Sequence, residues 1–516
     1  MHCRSLCYVR TNALSVRRLN ETTASADSAP LEDSLPSFDL PLITGWDFLP
    51  KTIQQSVLEN NNKIEKLKAE KDGSLAWQEI QKYSQMLRDG NVNWEDIPPE
   101  DLDIRLKWAG FFHRRKRVPG TFMFPSQNLQ LRGIRLEDAG IFLEELTRLG
   151  IGCFQSGMDN VRNIVGSPLA DDIERWKSYS VDTVHGHIND LAFLPIAKDD
   201  SSGSLLFEIL IGGLLSPKRN ETSLRLNLWV PESSILAVTR VVLEIYRDFG
   251  FRNSRATSRF IYLIESWGLE RIKAEIVRRL EEKDVVWLEP LKNSIADNSA
   301  PVIGSEIFGI HLQRQKDKFF LSCHVPVGRL NVQEAEVLAD IASNYSCGEI
   351  RLTVDQNFIL PNIVRTKIES VLQEPLLRER FTHRPRPLSK GLVSCTGSQF
   401  CGLALIETKN RSLELCKILE ETLDFPDGQT VRIHWTGCPN SCGQAQVADI
   451  GLMGAPAKQD GKLVEGVDIY LGGTLGVNST LGTLYRKGIP CDFKYLLPIM
   501  IELLQTHFGA RLKEDM

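Results

Sequence analysis

The chain has 516 residues, of which 42% are apolar and 25% charged, and a formal net charge of −5. That is the balance of an ordinary globular protein with more than one core, two to four by length. It contains no run of about 18 apolar residues that could cross a membrane as a helix, and its acidity argues against a general nucleic-acid partner.

Residues 1–28 carry Arg4, Arg10, Arg17 and Arg18, many Ser and Thr, and no acid before Glu21. No continuous apolar core is present, so this reads as an organelle transit peptide rather than a secretory signal, with a disordered tail as the plain alternative. Removing it takes four arginines against Glu21 and Asp27, which leaves a net charge of −7.

Residues 29–110 read as a linker, with Pro30, Pro36 and Pro41, followed by a helical extension. In it Ile53, Val57, Leu58, Ile64 and Leu67 recur at helical spacing over 51–90. Residues 111–150 open with the basic run Arg114-Arg115-Lys116-Arg117, either a solvated face or a meeting place for carboxylates. The segment Gln127–Ile134 is then echoed by Gln356–Ile363, and both echoes precede a Ser/Cys–Gly turn, at Cys153–Gly157 and Ser394–Gly397. An internal duplication of about 230 residues explains the echo, although two short strands can also match by chance.

Leu224–Val230 alternates like a strand, residues 233–248 and 255–282 read as helices, and Ile310–Leu312 with Phe319–Val325 as a hairpin. A helix is expected over 332–345, another over 403–423, and strands around Val431, Ile433 and Trp435 and over Val467–Gly473. Such mixed elements predict α+β layers.

Four of the eleven cysteines form two glycine-flanked pairs, Cys395 with Cys401 and Cys438 with Cys442, separated by 36 residues. Thiolates in loops rich in Gly, Pro and Asn suit an iron–sulfur cluster, because the backbone can curl closely and donate N–H groups to sulfur. Zinc is the main rival, but its paired cysteines usually stand two to four residues apart, and the first pair here has five between. Unrelated buried thiols are the third reading. Free thiols with a metal site indicate a reducing compartment rather than a disulfide framework.

Cys395-Thr-Gly-Ser-Gln-Phe-Cys401-Gly402, with Ile406-Glu-Thr-Lys409 and then His434-Trp-Thr-Gly-Cys438-Pro-Asn-Ser-Cys442-Gly-Gln444, resembles ferredoxin-dependent assimilatory nitrite reductase. So do Val447–Gly454, Gln155–Asn163, His187–Asp190, Pro326–Leu330 and Arg351–Asn357. The resemblance runs with gaps from about residue 42 to 510. It implies a duplicated α+β chain: two ferredoxin-like halves, each followed by a siroheme/[4Fe–4S]-type domain. On that plan 111–150 is a shortened first ferredoxin-like part and 151–295 a first reductase-type domain without cluster ligands. Residues 296–380 are then the second ferredoxin-like domain and 381–516 the [4Fe–4S]/siroheme domain.

The resemblance further implies that Cys395, Cys401, Cys438 and Cys442 ligate a [4Fe–4S] cluster and that Cys442 is also the axial ligand of a siroheme iron. Arg162 would bind the anion. Nitrite would be reduced to ammonium by six electrons from ferredoxin, by a monomer in the chloroplast stroma. A ferredoxin-dependent sulfite reductase shares this plan, but the run Gly443-Gln444-Ala445-Gln446 after Cys442 is similar to the nitrite enzymes.

The pattern is broken twice. Gly120-Thr-Phe-Met123 runs directly into Phe124-Pro-Ser-Gln127, where the family has some thirty residues with an arginine. The stretch from Ala170 to His185 lacks the expected substrate-binding lysine and asparagine, for which Arg175-Trp176-Lys177 is a poor substitute. A catalytically impaired variant is therefore an alternative reading. A zinc-holding interaction protein is a third.

Overall fold

The computed structural model describes residues 75–98, 121–123, 129–132, 134–149, 164–169, 184–198, 205–252, 254–290, 308–476 and 479–513. The leader, Arg114–Arg117, Cys153, Arg162 and Lys177 lie outside the described residues.

Helix α1 (Leu75–Arg88) packs on α2 (Leu136–Arg148) through small residues: buried Ser84 donates to Glu137 O at 2.7 Å and accepts from Gly140 N at 3.1 Å. Between them β1 (Thr121–Met123) and β2 (Gln130–Arg132) form a hairpin. Its other neighbour is β10 (Arg329–Asn331) from much later in the chain, so the first part is completed by a strand of the second.

Next comes an antiparallel sheet of β3 (Leu191–Lys198), β4 (Leu205–Ile211) and β7 (Leu224–Pro231), with the small hairpin β5 (Leu214–Leu215) and β6 (Asn220–Glu221) beside it. Helices α3 (Ile235–Phe249), α4 (Phe260–Trp267) and α5 (Leu269–Glu281) cover it, burying Ile209, Leu228, Val238, Ile245, Leu263 and Ile276 in one core. The single helix expected over 255–282 is two, because Gly268 between them has φ +83°, a left-handed value that ends α4.

The ferredoxin-like sheet has the order β11 (Arg351–Leu352), β12 (Phe358–Val364), β9 (Lys318–Cys323) and β8 (Gly309–Leu312), all antiparallel. Helix α6 (Val332–Tyr345) lies on it. A capping box starts that helix: Asn331 Oδ1 accepts from Glu334 N at 2.8 Å while Glu334 accepts from Asn331 N at 2.7 Å.

The last domain is a five-stranded sheet in the order β13 (Leu392–Ser394), β15 (Ile433–Thr436), β16 (Ile450–Gln459), β17 (Lys462–Leu471) and β18 (Thr483–Pro490). The first three strands are parallel and the rest antiparallel. Helices α7 (Lys409–Thr422) and α8 (Phe493–Phe508) bury Trp435, Ile469, Leu415, Met500 and Leu504 against it. A small two-stranded sheet, β14 (Leu423–Asp424) with β19 (Arg511–Leu512), closes the domain. The helix expected from residue 403 starts only at Lys409. The Glu407 carboxylate accepts from Asn410 N and Arg411 N there, while 403–408 turns back toward the cysteines.

The duplication is visible in the backbone. His185 (φ +53°) leads into the 3-10 turn Gly186–Ile188 and then β3; Gln444 (φ +57°) leads into the 3-10 turn Ala445–Val447 and then β16. In the first copy Gly212 N and Gly213 N donate to Asp190 O and Asn189 O; in the second Gly472 N and Gly473 N donate to Asp449 O and Ala448 O. Each copy carries an Arg–Asp pair at this place, Arg259–Asp190 and Arg432–Asp449. The two turns meet: Ile188 packs with Val447, and His185 Nδ1 stands 2.5 Å from Gln444 Oε1.

Candidate active site

Parallel strands β13 and β15 run side by side, with Ser394 paired to Trp435. The residues that leave their ends are Cys395 and, two places beyond Thr436, Cys438, so adjacent strands deliver both thiols to one end of the sheet. Cys395 N donates to Trp435 O at 2.9 Å, continuing the ladder by one step. From there the backbone turns toward the sulfur. Gly437 N donates to Cys395 Sγ at 3.0 Å and Gly397 N at 3.4 Å.

Both turns need glycine. Gly397 has φ +67°, and a Cβ there would lie 2.5 Å from Thr408 Oγ1; a Cβ on Gly437 would lie 2.7 Å from that of Ala404. The first loop is fastened to the second by Leu405 N to Gly437 O at 2.7 Å, and to itself by Cys401 N to Gly397 O at 2.7 Å and Ser398 N to Ile406 O at 2.9 Å. In the second loop Cys438 O accepts from Ser441 N at 3.1 Å, and Asn440 Nδ2 lies 3.5 Å from Cys438 Sγ. Gly443 fits under Trp435 O, where a Cβ would come within 2.1 Å.

Cys395 and Cys438 are buried, Cys401 is partly buried and Cys442 is exposed. Burial pushes the Cys438 thiol up from its ordinary value, and the nearness of Cys401 and Cys395 pushes it further. The Cys395, Cys401 and Cys438 thiols thus stand near one another at one end of the sheet. Among the described residues no three Cys, His, Asp or Glu side chains converge as ligands of one metal ion.

The motif Thr353–Asn357 ties this site to the rest of the molecule. The Gln356 side chain brackets Ser394, donating to its carbonyl at 2.8 Å and accepting from its N–H at 3.1 Å. Asn357 Oδ1 accepts from Val325 N at 2.8 Å. Asp355 Oδ1 lies 3.3 Å from Nε2 of His185 in the first copy. Burial alone would raise the Asp355 carboxyl, but attraction to His185 and a hydrogen bond from it, with His434 and Arg432 beyond, carry it below its ordinary value. His434 is buried on β15 and pushed down to about 4 by desolvation, so it is neutral near pH 7.

Two model descriptions match this chain. "Nitrite and sulphite reductase 4Fe-4S domain" matches residues 179–284 and again 390–510, and "Nitrite/Sulfite reductase ferredoxin-like half domain" matches 311–377. A ferredoxin–nitrite reductase of Synechococcus elongatus is 40% identical over 523 residues, covering 88% of this chain and 98% of its own. The chain belongs to the ferredoxin-dependent nitrite reductase family. The chloroplastic ferredoxin–nitrite reductase of Betula pendula is 37% identical over 573 positions, covering 97% of this chain and 95% of its own. That alignment is longer than the 516 residues here, so part of the relative stands against gaps in this chain. The structure of the Mycobacterium tuberculosis NirA protein superposes with a TM-score of 0.68 at 20% identity, covering 84% of this chain and 94% of that one, which shows a shared nitrite/sulfite reductase fold.

Of the five residues singled out from sequence, the structure brings Cys395, Cys401 and Cys438 together and places Cys442 at the exposed end of the same loop. Arg162 falls outside the described residues. The reading from sequence missed the paired turns at His185 and Gln444. Their signal was the shared Ile/Val-x-Asp ending before each strand, Ile188-Asn189-Asp190 and Val447-Ala448-Asp449.

Proposed function

We propose that this chain reduces nitrite to ammonium, taking six electrons one at a time from reduced ferredoxin. The observation that carries the reading is the delivery of Cys395 and Cys438 from adjacent parallel strands, with two backbone N–H groups aimed at the Cys395 sulfur. Cys395, Cys401, Cys438 and Cys442 would hold a [4Fe–4S] cluster, for which the N–H donors and the tight glycines are a fit. Cys442, the exposed member of the four, would also hold siroheme. When bound, these groups supply one-electron storage and a Lewis-acidic iron for nitrite.

The protein's part is electrostatic. Gly437 and Gly397 N–H dipoles spread the charge on Cys395, and Asn440 does so at Cys438. Arg162 would hold the anion and the oxygens it sheds, in a pocket where few waters compete. The donor is an acidic one-electron protein met through a basic face, with Arg114–Arg117 as the proposed contact. Residues 1–28 would direct the chain to a plastid; relatives from birch and Arabidopsis thaliana are named chloroplastic, while that of Synechococcus comes from a cyanobacterium. We take the working form to be a monomer without nucleic acid.

Purified protein is expected to contain iron, sulfide and siroheme and to form ammonium from nitrite with a chemical one-electron donor. A folded but colourless, metal-free protein overturns the reading. The gaps against the birch relative favour one second reading, a variant that keeps the cofactors and has lost turnover. It predicts a coloured protein whose spectrum does not respond to nitrite, and it fails if transcripts restore the missing segments.

A further inference from the structure

A lysine with no place in the scheme above is buried beside the cysteines. Lys409 is the first residue of α7 and is 2% exposed. Its ammonium donates to Ser394 O at 2.9 Å and to Val327 O. Ser394 is the residue before Cys395, and its carbonyl also accepts from Gln356 Nε2. Val327 is fully buried and sits at φ +49°, ψ 28°, a region that a β-branched side chain strongly disfavours. The lysine therefore bridges the peptide leading into Cys395 and a strained turn in the preceding domain.

Holding two carbonyls does not require a charge, and burying one is costly. The position of that charge is what distinguishes this lysine. We propose that Lys409 is a positioning residue whose buried ammonium raises the electron affinity of a metal–sulfur cluster held by Cys395 and its partners. This rests on the cluster reading of those cysteines. Taking one electron from the donor, which is thereby oxidised by one, leaves the metal–sulfur core one unit more negative. A fixed cation in a region of low dielectric stabilises that added charge more than it stabilises the oxidised form. Two unit charges about 10 Å apart, at an effective dielectric constant of about 20, shift such an equilibrium roughly tenfold. The neighbouring charges are Glu407, which caps α7 through Asn410 and Arg411, and Arg329, whose guanidinium holds Gln399 and Asn410 of the same region. The charged donor to Ser394 O is Lys409, beside the neutral Gln356 amide.

The test uses the full chain with its cofactors, and three variants: K409M, K409M/V327G and K409R. Glycine relieves the left-handed strain at Val327 but removes a buried side chain, so thermal stability is read beside the potential to separate structural loss from loss of charge. The readouts are iron and sulfide per chain, thermal stability, and the midpoint potential of the cluster in a redox titration. We expect K409M/V327G to load its cluster, but the ratio of reduced to oxidised cluster at the wild-type midpoint to fall about tenfold, equivalent to about 59 mV for one electron. K409R, which keeps the charge, should stay closer to wild type than K409M does. A loaded K409M/V327G with an unchanged potential overturns this proposal and leaves the cluster reading intact. So does a K409R shifted as far as K409M. A wild-type protein without iron and sulfide overturns both.

Discussion

Replacing Gly437 by alanine tests the geometry on which the site depends. Carbon atoms of packed side chains rest about 3.5–4.0 Å apart, and the new Cβ would lie 2.7 Å from Ala404 Cβ. The two cysteine loops must therefore open by about 1 Å, and they are not free to do so. Leu405 N is bonded to Gly437 O at 2.7 Å and Ala404 N to Cys401 O at 3.3 Å, so Ala404 can retreat only by drawing Cys401 with it. The same movement lengthens the 3.0 Å bond from Gly437 N to Cys395 Sγ. Overpacking of this kind costs about 1–3 kcal/mol, and a displacement of about 1 Å at a reacting centre can lower a rate about a hundredfold. We expect G437A to bind less iron and sulfide per chain than wild type and to lose most of its nitrite turnover. G437A/A404G, which removes the opposing methyl, should regain both. Wild-type loading and turnover in G437A would refute the argument. Failure of the double variant while A404G alone behaves normally would also refute it.

Further outcomes follow from the same contacts. R432M should destabilise the chain by about 3 kcal/mol, because Arg432 and Asp449 are only 13% and 24% exposed and Arg432 also donates to Val447 O and Gly473 O. R259M, at the matching place in the first copy, should cost about 1 kcal/mol or less, its pair being 41% and 43% exposed; denaturant midpoints of the two variants compare them directly. His324 is pushed down to about 4 by burial, with Arg380 adding to the effect against a hydrogen bond that the ring donates to Asn357. An imidazole held neutral in the fold contributes stability above its unfolded pKa of about 6.5, which is lost as pH falls toward 4. H324Q should therefore flatten the stability profile between those limits, by about 3 kcal/mol at most, and an unchanged slope would show that His324 is not the titrating group. Turnover with reduced ferredoxin should fall as salt rises from 0.05 to about 0.5 M while turnover with a small neutral donor does not, since only the protein donor is drawn in by opposite charge.

The cysteine site was legible in the chain because its chemistry is local. Glycine, proline and asparagine around each pair, and the apolar alternation that makes β13 and β15, are short-range signals that no distant contact has to supply. The same holds for α6 and α3, whose apolar periodicity sits where the helices do. The sequence misled where a turn depended on partners far along the chain. The apolar residues from Leu403 onward scan as helix, yet Leu403 is 66% exposed and the segment is instead bonded to Gly437 and Ser398. Gly268 splits one apparent helix as well: its φ of +83° ends α4, and both α4 and α5 send residues into the same core.

By itself, then, the sequence determined what kind of atoms could gather at this site and which family's pattern they follow, since residue type and spacing are written into the chain. Only the tertiary structure decided that Lys409 is buried against the peptide before Cys395, and that His185 of one copy faces Gln444 of the other. Through its second bond, to Val327 O, Lys409 reaches 82 positions along the chain, and His185 with Gln444 spans 259. These contacts exist because burying the apolar faces of duplicated sheets brings two related turns together, a consequence of packing that no local pattern encodes.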